Sequence, residues 1–178
     1  MTHPSPSLRL FFALWPPAPT RLALARSARL YLATARRPVA TQRLHMTVAF
    51  LGRVAPERLA TLRALAGTVR AAPFVLRLDR IGYWRRSRLL CLVPSGTPAA
   101  LEALVRDLRV ALRQQGFRID TRPFAPHVTV AREVIHAPPR SAPPEVRWPV
   151  RSFVLVESRT GGLQSQYTVL ARWRLRDS

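Results

Sequence analysis

The chain has 178 residues, of which 48% are hydrophobic and 21% are charged, a composition typical of one globular domain and not of a disordered chain. The apolar run LRLFFALW near the N-terminus is far shorter than the roughly 20 residues that span a bilayer, and no signal-peptide cleavage site follows it. A single cysteine, Cys91, excludes an internal disulfide, so we predict a protein of the reducing cytoplasm.

The charge balance is strongly basic. The 29 basic residues, all of them arginine, outnumber 9 acidic residues and give a formal net charge of +20. A field of that sign attracts polyanions such as nucleic acid. A genome rich in G and C would also enrich arginine, alanine and proline, so both explanations of the charge stay open.

The spacing of apolar residues and turn signals predicts the elements in chain order. They are a buried strand over 8–14, a helix over 19–33, a strand over 44–52, a helix over 56–70, a strand pair over 74–84 and 87–93, a helix over 98–115 ending at Gly116, a strand over 127–132, a proline-rich loop over 134–149, and two strands over 150–159 and 166–175 joined by a turn at Gly161-Gly162. This order predicts an α+β protein of two similar lobes within one domain, 1–178.

Two of the predicted strands carry the same motif. LHMTVAFLG contains His45 and Thr47, and PHVTVAR contains His127 and Thr129, each within His-x-Thr-Val-Ala. Alternate residues of a strand project from one face, so each histidine shares a face with its threonine. One such histidine is commonly structural, but two copies use two of the four histidines in the chain. We therefore predict that both pairs line one cleft between the lobes.

Two imidazoles and two hydroxyls suit phosphodiester chemistry. One histidine can accept a proton from the attacking group while the other gives a proton to the leaving oxygen, each step typically contributing about 10²–10⁴-fold. An ordinary histidine pKa of about 6.5 allows both protonation states near neutral pH. Threonine hydroxyls can donate hydrogen bonds to phosphoryl oxygens where charge develops. This scheme requires no metal ion.

The sequence resembles a known family, the two-histidine (2H) phosphoesterases, in the branch of RNA 2′,3′-cyclic phosphodiesterases also called 2′-5′ RNA ligases. The segments that carry the resemblance span nearly the whole chain: RLFFALWPP, QRLHMTVAFLG, RPFAPHVTVAR and LVESRTGGLQSQYTVLARW. The family commonly has glycine and proline where this chain has Thr160-Gly161-Gly162, which is a departure from its pattern.

The resemblance implies a bilobal α+β fold with two pseudo-symmetric lobes, each with an antiparallel sheet and helices, around a central cleft. It implies opening of a 2′,3′-cyclic phosphate at an RNA end, with tRNA fragments among the candidate substrates, to leave a 2′-phosphate without metal, ATP or other cofactor. By the same resemblance His127 is the base for water and His45 the acid for the 3′ oxygen, although the near-symmetry of the lobes leaves this order open. Thr47 and Thr129 are expected to hold the phosphate.

Three further residues are assigned by the resemblance. Arg132, five residues after His127, is expected to contact phosphate, and Phe12 and Phe50 are expected to stack on a base. Both Phe50 and Arg132 lie at an odd offset from their histidine, so an ideal strand would turn them away from the cleft. Packing in the core is the competing explanation for the two phenylalanines.

Other polar and aromatic residues are expected to be structural. Tyr167 and Arg159 belong to the closing hairpin, Cys91 is expected to be a small core residue, and His136 is expected to be solvated in the proline-rich loop.

Two alternative hypotheses compete with the hydrolase. A basic RNA-binding module without turnover would explain the charge and would bind RNA in a salt-sensitive manner. A metal site using His45 and His127 is disfavoured because no carboxylate lies at ligand spacing beside either histidine. The cellular substrate stays open, because 2′-5′ linked oligomers and small cyclic nucleotide phosphates could also fit such a site. A monomer is expected because one chain supplies both motifs.

Overall fold

A computed structural model describes residues 7–159 and 166–177. The helices are α1 (Ala18–Leu32), α2 (Leu59–Thr68) and α3 (Ala99–Gln114), with short 3₁₀ turns at Thr41–Arg43 and Pro56–Arg58. The strands are β1 (Leu8–Leu14), β2 (Ala35–Pro38), β3 (Met46–Val54), β4 (Phe74–Leu78), β5 (Arg80–Trp84), β6 (Leu89–Val93), β7 (Val128–Val134), β8 (Val146–Val150), β9 (Ser152–Arg159) and β10 (Gln166–Arg174).

Two four-stranded antiparallel sheets form the framework. The first has the order β10-β9-β1-β3 and the second the order β2-β7-β6-β5, while β4 and β8 form a separate pair. Helix α2 contacts β10 and helix α3 contacts β3, both in the first sheet. Helix α1 contacts β2 and β7 of the second sheet. The predicted α+β fold with two antiparallel lobes is confirmed, and each sheet carries one His-x-Thr strand.

One hydrophobic core connects the two sheets with the helices. It buries Leu10 and Phe12 of β1, Leu92 of β6 and Leu104 and Leu108 of α3, all without exposed surface. A smaller apolar cluster lies apart from this core, on the cleft side of the first sheet. Its members come from β1 and β9 and are Phe11, Ala13, Val154 and Val156.

The end of α3 follows the prediction from Gly116. This glycine has a φ of 70°, the left-handed conformation that favours glycine. The Phe117 amide donates to the Leu112 carbonyl (3.0 Å) and the Gly116 amide to the Arg113 carbonyl (2.9 Å), the pattern of a Schellman cap. The guanidinium of Arg58 covers the Phe117 ring at 3.9 Å, which joins the start of α2 to the end of α3.

The predicted strand over 74–84 is wrong as one element, because it is two strands in different sheets. The break is at Asp79, whose carboxylate accepts hydrogen bonds from the Ser95 amide (2.8 Å) and hydroxyl (2.6 Å). Before it β4 pairs with β8, and after it β5 forms the predicted hairpin with β6.

The predicted proline-rich loop over 134–149 is wrong at both ends, where β7 ends and β8 begins. Val146, Trp148 and Val150 are buried while Arg147 and Pro149 are exposed, so the segment has the period-two pattern of a strand. Proline is tolerated because the β4–β8 pair leaves an open edge.

The remaining part of that loop is held against α1. The Tyr31 hydroxyl donates to the Ser141 carbonyl (2.7 Å), and the Ser27 hydroxyl donates to the Pro144 carbonyl (2.6 Å).

Sequence patterns missed β2, which is short and has no apolar alternation; it is recognisable only through its pairing with β7. The predicted turn at Gly161-Gly162 lies outside the described residues. In the part of the chain that the structure describes, no helix is long and apolar enough to cross a membrane.

Candidate active site

Both histidines occupy the residue immediately before their strand. His45 precedes β3 and its Nδ1 lies 2.6 Å from the Arg43 carbonyl, while His127 precedes β7 and its Nδ1 lies 2.7 Å from the Ala125 carbonyl. A carbonyl oxygen only accepts hydrogen bonds, so Nδ1 must carry the proton in each ring. The free nitrogen, Nε2, is then the atom available to exchange a proton with a bound molecule.

The two motif strands share a β-bulge directly after the threonine. On β3, Thr47 pairs with Ala13 and Ala49 with Phe12, which leaves Val48 as the additional residue. On β7, the corresponding additional residue is Val130, between Thr129 and Ala131. A bulge inserts one residue and so reverses the alternation of faces beyond it.

The bulges explain the positions of Phe50 and Arg132. Each lies five residues after its histidine, and both line the same cleft as the two histidines despite their odd offset. In an unbulged strand these side chains would face away from it. The symmetrical insertions therefore bring a phenylalanine from one lobe and an arginine from the other to the cleft.

The cleft between the sheets has a volume of about 670 Å³. Its lining includes both histidines, both threonines and a set of arginines. The lining residues are Arg9, Phe11, Arg36, Arg37, Pro38, Val39, Arg43, His45, Thr47, Phe50, Leu89, His127, Thr129, Arg132, Ser158 and Tyr167.

Aromatic rings surround His45. Trp15 stacks on the imidazole at 5.3 Å with an interplanar angle of 15°, Phe11 lies at 5.1 Å, and Tyr167 presents its edge at 5.2 Å. Burial among these groups is the main cause that lowers the pKa of His45, to about 4 from 6.5. The hydrogen bond to Arg43 opposes this shift, while His127 and Arg132 add to it.

His127 has a more open environment with a single aromatic neighbour among the described rings, Trp84, whose edge-on contact has a centroid distance of 4.4 Å. Burial lowers the pKa of His127 and the charge of Arg132 lowers it further, whereas the hydrogen bond to Ala125 raises it. The positive charge of Arg132 therefore disfavours protonation of both imidazoles, so this one cation influences both candidate acid–base groups.

The family model described as the 2′-5′ RNA ligase superfamily matches residues 15–162. The chain belongs to the 2′-5′ RNA ligase superfamily. The match covers both His-x-Thr strands, β3 and β7, and confirms the resemblance read from the sequence.

Relatives within this superfamily match over most of their length. The chain is 38% identical over 170 residues, 94% of this chain and 96% of the relative, to a protein of Escherichia coli K12 named RNA 2′,3′-cyclic phosphodiesterase. A Thermus thermophilus protein of the same name is 33% identical over 190 residues, covering 95% of this chain and 91% of that protein. The structure of E. coli LigT complexed with 3′-AMP matches with a TM-score of 0.87 and 37% identity over 95% of this chain and 98% of that one.

Phe12, which was predicted to lie in the site, lies in the core instead. Phe12 has no exposed surface and packs against Phe153 (6.2 Å between centroids) and Trp173 (5.9 Å) in the core. The expectation that Phe12 stacks on a base is therefore wrong for the described structure. Its neighbour Phe11 faces the cleft instead, because alternate residues of β1 point to opposite sides of the sheet.

Phe50 lies in the cleft as predicted from the resemblance. Its side chain is 42% exposed, and the guanidinium of Arg9 lies over the ring at 4.9 Å. An exposed ring with a cation beside it offers a flat surface to a nucleobase. Thr47 and Thr129 are half-buried at the same cleft and Arg132 is exposed to it.

Cys91 is buried as predicted but also contacts the site. Its Sγ lies 3.8 Å from the Thr129 hydroxyl, to which the thiol donates a weak hydrogen bond. Burial raises the pKa of this thiol to about 12. The thiol is therefore a neutral neighbour of Thr129 and not a nucleophile.

The sequence interpretation missed the aromatic neighbours of the histidines, Phe11, Trp15 and Trp84. For Phe11 the sequence offers one clue. Phe11 lies two residues after Arg9 and so shares a strand face with it, and an arginine is expected to face solvent; both residues line the cleft. Tyr167, expected to be structural, lines the cleft and contacts His45. No sequence signal identifies Trp15 or Trp84, because their contacts depend on how the strands meet.

Arg159 binds Glu157 at 2.9 Å and is exposed at the end of β9, in agreement with a structural role. Within residues 7–159 and 166–177, no group of three or more His, Cys, Asp or Glu side chains lies close enough to hold a metal ion.

Proposed function

We propose that this protein hydrolyses 2′,3′-cyclic phosphates at RNA ends to 2′-phosphomonoesters. The observation that carries the proposal is the pair of histidines in one cleft, each with Nδ1 bound to a backbone carbonyl and Nε2 available for proton transfer. Relatives that match over more than nine-tenths of their length, and that are named RNA 2′,3′-cyclic phosphodiesterase, support it.

The proposed reaction is an in-line displacement at phosphorus. One imidazole Nε2 accepts a proton from water as the water oxygen bonds to phosphorus. The bond from phosphorus to the 3′ oxygen breaks, and the other imidazolium gives its Nε2 proton to that oxygen. The ring opens to a 2′-phosphate and a 3′-hydroxyl, and the two histidines exchange protonation states.

The remaining proposed site residues stabilise negative charge. The hydroxyls of Thr47 and Thr129 donate to the non-bridging phosphoryl oxygens, and Arg132 provides a permanent positive charge beside both imidazoles. A bound phosphate anion raises the pKa of each histidine, which opposes the effect of burial and supplies the imidazolium that the leaving oxygen requires.

The proposal extends to partners and setting. RNA or oligonucleotide ends are the substrates, and Phe50 stacks on the terminal base. With an RNA 5′-hydroxyl in place of water as the attacking group, the same ring opening breaks the bond to the 3′ oxygen and forms a 2′-5′ linkage through the same two histidines. Cleavage of that linkage is the reverse of this ligation. A monomer is sufficient because one chain forms the whole cleft, and we retain the cytoplasm as the cellular setting because the one cysteine is a buried free thiol.

The test is an incubation with RNA ending in a 2′,3′-cyclic phosphate, in the presence of EDTA, with separation of 2′- and 3′-phosphate products. Wild type should form the 2′-phosphate, and His45→Ala and His127→Ala should each lose about 10²–10⁴-fold in turnover. His136→Ala is the matched control because His136 is exposed in the loop away from the cleft. Circular dichroism shows whether each variant is folded.

Retention of full activity in either folded cleft variant would refute the proposed acid–base pair. RNA binding without any product would favour the binding module instead. The order of the two roles has its own measurement: a cyclic substrate with sulfur in place of the 3′ oxygen has a leaving group that needs no proton. If His45 is the acid, as the resemblance implies, this substrate restores the activity of His45→Ala and not that of His127→Ala.

A further inference from the structure

We propose that a second groove beside the cleft binds the nucleotide on the 5′ side of the terminal cyclic phosphate. Single-stranded oligonucleotides are then the preferred substrate class over free nucleoside cyclic phosphates. This inference rests on the proposed function. The groove has a volume of about 550 Å³ and meets the cleft at Thr47, Phe50, Leu89 and His127, which line both spaces.

The groove offers aromatic surfaces in addition to Phe50. Trp84 and Phe124 are both half-buried in its lining. Every nucleobase has a flat π-face, so exposed rings along a groove bind successive bases of a single strand with little sequence preference. Phe50 borders both spaces and can separate the terminal base from the one before it.

One side of the groove is formed by the edge of strand β3. Four consecutive residues of β3, Thr47 to Phe50, line it, and within residues 7–159 and 166–177 the strand pairs with β1 alone. Backbone N–H and C=O groups on the other edge of β3 are therefore available to hydrogen-bond with base edges.

The charged residues in the groove lining are Arg109, Arg122 and Asp120, and the Asp120 carboxylate also interacts electrostatically with Arg109. The Arg109 guanidinium lies 6.0 Å from the centroid of the Phe124 ring, and one N–H donates to the Arg122 carbonyl at 3.1 Å. The Arg122 side chain is held by the Asp120 carboxylate at 2.5 Å, so its charge is locally neutralised. We therefore assign the contact with the internucleotide phosphate to Arg109, beside the ring that receives the base.

The test compares kcat/KM for a trinucleotide ending in a 2′,3′-cyclic phosphate with kcat/KM for adenosine 2′,3′-cyclic phosphate. The substitution Phe124→Leu removes the ring but keeps an apolar side chain. It should lower the ratio of the two values by about five- to a hundredfold, the usual effect of losing one stacked base. Arg109→Gln should also lower the ratio and reduce by about one the slope of log kcat/KM against log salt for the trinucleotide.

Arg106→Gln is the matched control, because Arg106 lies on the exposed side of the same helix and pairs with Asp107 at 2.8 Å. The control should keep the wild-type ratio. An unchanged ratio in folded Phe124→Leu and Arg109→Gln would overturn the groove proposal while leaving the proposed hydrolysis intact.

A binding measurement separates the two proposals if wild type turns over neither substrate. The probe is a trinucleotide with a 5′ fluorescein and a terminal 2′-phosphate, followed by fluorescence anisotropy. At least fivefold weaker binding by Phe124→Leu than by wild type and Arg106→Gln would support the groove even though the proposed function had failed. Equal binding by all three proteins would overturn the groove as well.

Discussion

His45 and His127 have the same hydrogen-bonding arrangement but different surroundings. Both donate from Nδ1 to the carbonyl two residues before them, so both present Nε2 to the cleft. The ring of Trp15 stacks on His45, whereas His127 has only an edge-on contact with Trp84 among the described rings. The backbone carbonyl two residues before each histidine therefore sets the tautomer of the imidazole, and the neighbouring aromatic residues influence how readily each one is protonated.

The pKa directions predict an acidic optimum for the free enzyme. The proposed mechanism needs one neutral and one protonated histidine, and burial lowers both pKa values below 6.5, that of His45 to about 4. As pH rises, the midpoint for loss of the last imidazolium proton of the free enzyme lies below pH 6.5. As pH falls towards 4, the second histidine also becomes protonated. We expect kcat/KM for a cyclic phosphate to peak between these limits and to fall about tenfold per pH unit on the alkaline side.

The pH profile of kcat, which reports on the enzyme with substrate bound, can be compared with that of kcat/KM, which reports on the free enzyme. A bound phosphate anion raises the histidine pKa values, so the optimum of kcat should lie at higher pH than that of kcat/KM. Arg132→Gln removes a positive charge that lowers the pKa of both histidines and should move the alkaline limb of kcat/KM upward. A kcat/KM optimum above pH 7 in wild type would contradict this account.

At the scale of elements, the paired β-bulges at Val48 and Val130 determine what reaches the cleft. They bring Phe50 and Arg132 to the face of their histidines, so the two lobes supply an aromatic surface and a cation from equivalent positions. The His-x-Thr spacing was readable from the sequence because the alternation of faces is regular up to the bulge. Beyond it the alternation fails, and the positions of Phe50 and Arg132 depend on the pairing with β1 and β6.

The same equivalence predicts the effect of removing the Cys91 thiol. Cys91 pairs with Thr129 in the second sheet where Ala13 pairs with Thr47 in the first, so one lobe already has alanine at this position. We expect Cys91→Ala to keep activity on a cyclic phosphate within about threefold, because a thiol donates only a weak hydrogen bond. Thr129→Val, which removes the hydroxyl itself, should lose about 10²–10³-fold in kcat.

Alkylation provides the accompanying control for Cys91. With a thiol pKa of about 12 and no exposed surface, native protein at pH 8 should not react with iodoacetamide, whereas protein unfolded in guanidinium should react fully. A loss of activity in Cys91→Ala as large as that in Thr129→Val would show that the thiol is required for catalysis.

Over the whole molecule, 29 basic and 9 acidic residues create a field that favours an anionic substrate. The exposed ion pairs, such as Arg37 with Glu133 at 3.0 Å, neutralise only part of it, and several arginines line the cleft. Arg9 and Arg36 are among them, on different strands of different sheets but at one cleft in the fold. The excess of arginine therefore contributes positive charge at the site, whatever its origin in the genome.

This charge predicts a substrate-dependent sensitivity to salt. Raising the salt concentration from about 50 to 200 mM should reduce kcat/KM for an oligonucleotide cyclic phosphate more steeply than for a nucleoside cyclic phosphate, because the longer anion displaces more counterions. Parallel measurements with a neutral osmolyte at matched osmolality control for effects of water activity. Equal slopes for the two substrates would contradict a contribution of the basic surface to binding RNA.

Local sequence patterns were sufficient to predict the two His-x-Thr strands, the α+β class and α3 with its glycine cap, because each depends on periodicity or on backbone preferences within a few residues. For β1 the sequence offers one clue, the parity of Phe11 with the exposed Arg9. Tertiary packing settles that Phe11 faces the cleft and Phe12 the core, because residues on both sides of the strand are buried and local hydrophobicity does not distinguish them. Tertiary packing likewise decides the pairing of β8 with β4 and the positions of Trp15 and Trp84 beside the histidines. These features arise from contacts between segments distant in sequence. They escape prediction because the burial of a side chain and the register of a strand depend on which other segments pack against it.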